Sequence, residues 1–130
     1  MSAMLSNNQV LEWARGYIRA YEAPDPALGE DELSRYVLGL MPGSENLDPE
    51  DAWRVILAVL WLEPSPPVIG ILAAGPLEDL IQYQGESFIG RIEEEARQNP
   101  AFRHLLGGAW ESGTEEIWAR VDKARAGVRW

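Results

Sequence analysis

The sequence predicts an all-α protein, and three observations carry that prediction. Apolar residues recur three and four positions apart along most of the chain, the spacing of one helix face. No stretch of four or more residues alternates cleanly with period two, so no strand is expected. Proline and glycine interrupt the pattern often, which divides it into about seven or eight short helices. The chain has 130 residues, 46% of them hydrophobic, which suits one domain spanning 1–130 with a real core.

The first helix places Val10, Ala14, Tyr17, Ile18 and Tyr21 on one face, with Asn7 and Asn8 as the available caps. It stops before Pro24 and Pro26. Leu33, Tyr36, Val37 and Leu40 suggest a second helix, with Asp31 and Glu32 near its positive end, and Met41-Pro-Gly43 closes it. The third has the clearest start: Asp48 caps, Pro49 takes the first helical position, and Glu50 and Asp51 occupy the first turn. Its body, Ala52 to Leu62, is apolar on nearly every side, so it is expected to be central, with both Trp53 and Trp61 buried.

Pro64, Pro66 and Pro67 end that helix and open a fourth, Val68 to Ala74. Gly75 is expected to break the chain and Pro76 to start a fifth, carrying Leu77, Leu80 and Ile81. Gly85 separates it from a sixth with Phe88, Ile89, Ile92 and Ala96; Gly70, Gly75 and Gly85 read as helix breaks or close packing points. Asn99-Pro100 repeats the cap-then-proline start ahead of Phe102, Leu105 and Leu106, and Gly107-Gly108 follows. Thr114 caps the last helix, with Glu115 and Glu116 in its first turn and Ile117, Trp118 and Val121 inward. Connections this short suit an irregular bundle or a HEAT-like stack of helix pairs.

Charge excludes some functions and suggests others. Acidic residues outnumber basic ones 21 to 11, a net of −10, so a duplex or RNA binder's basic footprint is missing. With no cysteine there is no disulfide framework, thiolate nucleophile or zinc–thiolate site. The N-terminus is too polar for a secretory signal, and the longest apolar run, Val55–Leu62, falls far short of the roughly 20 residues of a membrane span. A cytoplasmic location is expected.

No catalytic constellation presents itself, and the chain is expected not to be an enzyme. His104 is the single histidine and reads as a helix-surface residue. No serine sits in a nucleophile elbow. Asp48, Glu50 and Asp51 lack the spacing of a calcium loop, so they read as dipole capping, and Glu93-Glu94-Glu95 reads as a solvated face. Neither a metal nor a cofactor is expected.

Between Glu22 and Glu63, ten acidic residues face only Arg35 and Arg54, whereas Lys123 to Trp130 holds three basic residues and no acid. The acidic stretch is either an ordinary solvated surface or a docking face for a basic protein. On the docking reading Glu30, Asp31, Glu32, Glu50 and Asp51 carry the contact, and reversing their charge abolishes it. Trp13 lies beside the apolar stripe of the first helix and is a candidate interface anchor, as is Trp130.

The run Gly75-Pro-Leu-Glu-Asp-Leu80, then Gly85, Phe88-Ile89, Ile92-Glu93, Ala96, Pro100-Ala-Phe-Arg103 and Trp110 resembles a bacterial domain-of-unknown-function family, over about residues 48–121. The resemblance implies no activity and no catalytic residue. Glu78 and Asp79 fall in the first turn after Pro76, where the dipole favours them, and Glu78 is also placed to meet an arginine or a partner. The expectation is therefore a small acidic protein-binding module, most concretely an immunity-type inhibitor that occludes a basic bacterial effector. A helical scaffold or homodimer is the alternative, and a nucleic-acid mimic ranks below both.

Overall fold

The computed structural model describes residues 5–22 and 48–127, all helix and connecting turns with no strand among them. The elements are α1 (Asn7–Glu22), α2 (Pro49–Trp61), α3 (Pro66–Leu72), a π-helical turn (Ala73–Leu77), α4 (Glu78–Gln98), α5 (Pro100–Leu106) and α6 (Glu115–Ala124). The chain forms two compact units, Met1–Val68 and Ile69–Trp130. The second helix expected at Leu33–Leu40 lies outside the described residues, as does Trp130.

In the first unit, α1 packs against α2. Val10, Ala14 and Tyr17 are buried on α1, and Ala52, Trp53, Val55, Ile56, Val59 and Leu60 on α2. Each large apolar side chain so buried contributes about 1.5–3 kcal/mol. The start of α1 differs from expectation: Ser6, not Asn7 or Asn8, is the cap. Its Oγ accepts from the Gln9 amide at 3.1 Å while Gln9 Oε1 accepts from the Ser6 amide at 2.8 Å. This reciprocal box satisfies two backbone donors, one of them the amide of the cap residue itself.

Asp48 caps α2 as expected, its Oδ1 accepting from the Glu50 amide at 2.9 Å. Trp61 departs from expectation, being 75% exposed while Trp53 is buried. Eight residues turn a helix through about 800°, so the two indoles sit roughly 80° apart. Trp61 is also the last residue of α2, and Leu62 and Glu63 turn away, Glu63 at φ 52°. The Glu22 carboxylate closes the unit by accepting from the Ser65 amide just before α3. These hydrogen bonds hold its carboxyl below the usual carboxylate range.

In the second unit α4 packs against both α5 and α6. Leu80, Ile81, Phe88, Ile89, Ile92 and Ala96 meet a core completed by Phe102, Leu105, Leu106, Ile117 and Val121. Gly75 and Pro76 do not break the chain. Proline lacks an N–H and its ring collides with the carbonyl four residues back; the wider π turn around Pro76 accommodates both, and α4 follows without interruption. The two helices expected on either side of Gly85 meet at a kink, where Gln84 leaves helical geometry (φ −128°, ψ 17°) within Glu78–Gln98.

Gly85 is a close packing point: a Cβ there would lie 3.0 Å from Ile117 Cγ2 on α6. Asn99 and Thr114 cap α5 and α6 as expected, Asn99 Oδ1 accepting from Ala101 and Phe102 and Thr114 Oγ1 from Ile117. After α6, Ala126 takes φ 52° and Gly127 φ 82°. Among the described residues, no helix is long and apolar enough to cross a membrane.

Candidate partner-binding groove

The residues expected to contact a partner do not form one surface. Glu30, Asp31 and Glu32 lie outside the described residues. Asp51 is 1% exposed, its carboxylate turned inward. Both its oxygens accept from the Leu5 amide at 3.3 Å, and Arg54 Nη1 donates to its Oδ1 at 3.1 Å. The same guanidinium donates to the Leu5 carbonyl at 2.7 Å and to Asn7 Oδ1 at 3.1 Å. Asp51 thus ties the segment before α1 to α2 and is no part of an exposed acidic face; reversing its charge would test folding rather than docking. Glu50, at the start of α2, is half-buried, and so is Trp13 on α1.

Glu78 and Asp79 are half-buried in the first turn of α4. Burial pushes the Asp79 carboxyl up from its ordinary value. Glu78 Oε2 receives a long contact, 3.5 Å, from the Trp110 amide. Of the expected set, Glu78 therefore borders the loop between α5 and α6, and that loop builds the feature most suited to docking.

The loop has no helix face in which to hide an aromatic side chain, and Trp110 is 74% exposed. Its backbone is nevertheless fixed. Ser112 Oγ donates to the Trp110 carbonyl at 2.9 Å, and the Gly113 amide donates to Gln82 Oε1 at 2.8 Å. Gly113 adopts φ 74°, and a Cβ there would lie 3.0 Å from the Ile81 carbonyl oxygen, so this turn needs glycine.

Trp110 and Glu111 of the loop and Trp118, Asp122 and Arg125 of the α6 end together line an open groove of about 750 Å³. Arg125 is buried, and its Nη1 donates to the Ala109 carbonyl at 3.3 Å. Its Nε donates to Asp122 Oδ1 at 2.9 Å, and its guanidinium lies 5.0 Å from the centre of the Trp118 ring. The groove thus already contains one cation held between an indole and a carboxylate, while Trp110 and Glu111 remain open to solvent.

Sequence reasoning placed Trp118 inward, whereas it is half-buried in this groove, and it read Arg125 only as part of a basic tail. The signal available was Trp110 itself, a large apolar residue in a Gly-Gly-Ala-Trp-Glu-Ser-Gly connection. Among the described residues no group of three or more histidines or acidic residues is placed to hold a metal ion. His104 is exposed on α5.

A sequence model for a family of unknown function, DUF6869, matches residues 25–128, extending at both ends beyond the stretch whose motifs suggested such a family. No curated protein and no solved structure matches the chain.

Proposed function

The chain belongs to DUF6869, a family of unknown function, and from that premise we propose that it is a small acidic binding module for a basic protein. It acts by occupying its partner's surface, most concretely as an immunity-type inhibitor of a basic bacterial effector, and the reading assigns it no reaction. What supports this is the groove beside Trp110: a rigidly presented, exposed indole next to Glu111, on a chain of net charge −10. A partner's lysine or arginine would stack on Trp110 as Arg125 stacks on Trp118, with Glu111 as counterion. Long-range attraction to the negative chain would speed the encounter.

Titration with an oligolysine peptide, followed by tryptophan fluorescence, tests the reading. Binding is expected to weaken steeply with added salt, and Trp110→Ala and Glu111→Lys are each expected to weaken it roughly tenfold. Equal affinity in both variants would remove the groove from the interface. A second reading, self-association through apolar surface, draws on the exposure of Trp61 (75%) and Tyr83 (70%). It predicts a dimer by light scattering that persists at high salt and is lost in Trp61→Ser.

A further inference from the structure

We propose that a second groove in the Ile69–Trp130 unit, between α4, α5 and α6, is a binding site for a small phosphomonoester. The groove holds about 450 Å³ and is lined by Arg97, Arg103, Arg120 and Lys123, with Glu93 the acidic residue in its lining. That volume lies within the range of small-molecule sites. Four cations sharing one cavity on a chain of net charge −10 is a local inversion of charge, and mutual repulsion among them costs stability unless anions neutralise them.

The internal pairing accounts for two of the four. Arg120 grips Glu93 with two donors, one at 3.0 Å, and Arg97 Nη1 pairs with Glu94 at 2.6 Å. Glu116 lies within electrostatic reach of Arg120 and adds to the neutralisation of that arginine. Arg103 and Lys123 have no carboxylate partner among the described residues. Arg103 is oriented by the end of α4, its Nε donating to the Ala96 carbonyl at 3.0 Å and its Nη2 to that of Arg97 at 3.4 Å. This fixes the guanidinium plane, and Nη1 makes no hydrogen bond among the described residues.

Lys123 is exposed on α6, within electrostatic reach of Glu93, and its ammonium makes no hydrogen bond or ion pair among the described residues. A fixed guanidinium edge and an ammonium in one cavity, neither in a direct ion pair among the described residues and with Glu93 shared between Arg120 and Lys123, match the dianionic oxygens of a phosphate monoester. The carboxylate of Glu93 disfavours a longer polyanion running through the groove, and the limited volume favours a small body behind the phosphate.

Calorimetric titration with phenyl phosphate, against sodium chloride at matched ionic strength, tests the site on the full chain. Saturable binding of phenyl phosphate that chloride does not reproduce is expected. Lys123→Gln should weaken it roughly tenfold, with an unchanged melting temperature because that side chain is exposed. Glu111→Lys, in the other groove, should leave it intact, which separates this site from the protein-binding reading. Heats no larger than those of chloride, or equal affinity in Lys123→Gln, would overturn the proposal.

Discussion

The two units differ in what their charged residues surround. In Met1–Val68 three of the described carboxylates bind the chain to itself: Asp48 caps α2, Asp51 holds the segment before α1, and Glu22 holds the entry to α3. In Ile69–Trp130, charged residues line two solvent-open grooves, one edged by Trp110 and Glu111, the other by Arg97, Arg103, Arg120 and Lys123. A raw count of charge therefore misleads. Within the described part of the acid-rich stretch, Asp48, Asp51 and Glu22 are already engaged in folding, whereas the two charged grooves lie in the other unit.

The strongest way to break this comparison is Asp51→Ala. It strands the Leu5 amide and the Arg54 guanidinium, and should destabilise the protein by roughly 3 kcal/mol. Urea unfolding measures this loss, and oligolysine affinity of the folded fraction should not change. Gly85→Val comes next and acts in the other unit. Its added methyl groups meet Ile117, an overpacking worth about 2 kcal/mol, and Ile117→Ala in the same chain should recover part of the loss.

Tyr17→Phe sharpens the comparison in the opposite direction. Among the described residues the Tyr17 hydroxyl is buried without a hydrogen-bond partner, and burial drives its pKa upward. Removing it should raise stability by about 1 kcal/mol, seen as a higher melting temperature.

The smallest effect concerns pH. Donation from Arg120 holds the Glu93 carboxyl below its ordinary value. The stability this pair supplies is present above the unfolded carboxylate value and lost as pH falls through the lowered folded one. Asp79, raised by burial, works the other way: its ionised form costs stability at neutral pH, and protonation relieves it. Arg120→Gln should therefore flatten the acid side of the stability profile, whereas Asp79→Asn should steepen the loss seen on acidification.

Much of the fold was legible because helix ends are written locally. Asp48-Pro49, Asn99-Pro100 and Thr114 each carry a side-chain acceptor that can reach only its own first turn, and each caps as expected. The break at Gly75 was misread, and the kink beside Gly85 was legible only in part, because neither is settled locally. A π turn absorbs Pro76, and Gly85 answers to Ile117, more than thirty residues away. The candidate site was harder to read for the same reason. Whether Asp51 faces solvent depends on Arg54 and on Leu5, forty-six positions earlier, and nothing in the Asp48–Asp51 sequence reveals that pairing. Trp110 was named only within a motif, yet its exposure follows from having no helix face of its own.

Glu63 and Ala126 both hold φ 52° immediately after a helix, a conformation glycine adopts without penalty. Each departs from glycine by one nucleotide, since glutamate and alanine codons become glycine codons by changing only the second base. Relief of the left-handed strain is worth about 1 kcal/mol at each position. The gene thus carries two single-step compensations in reserve: Glu63 lies outside the lining of both grooves, so a lineage that accepts a costly substitution in either can regain stability there without altering the groove, whereas Ala126 belongs to the lining of the Arg103 and Lys123 groove and its change would reshape that surface.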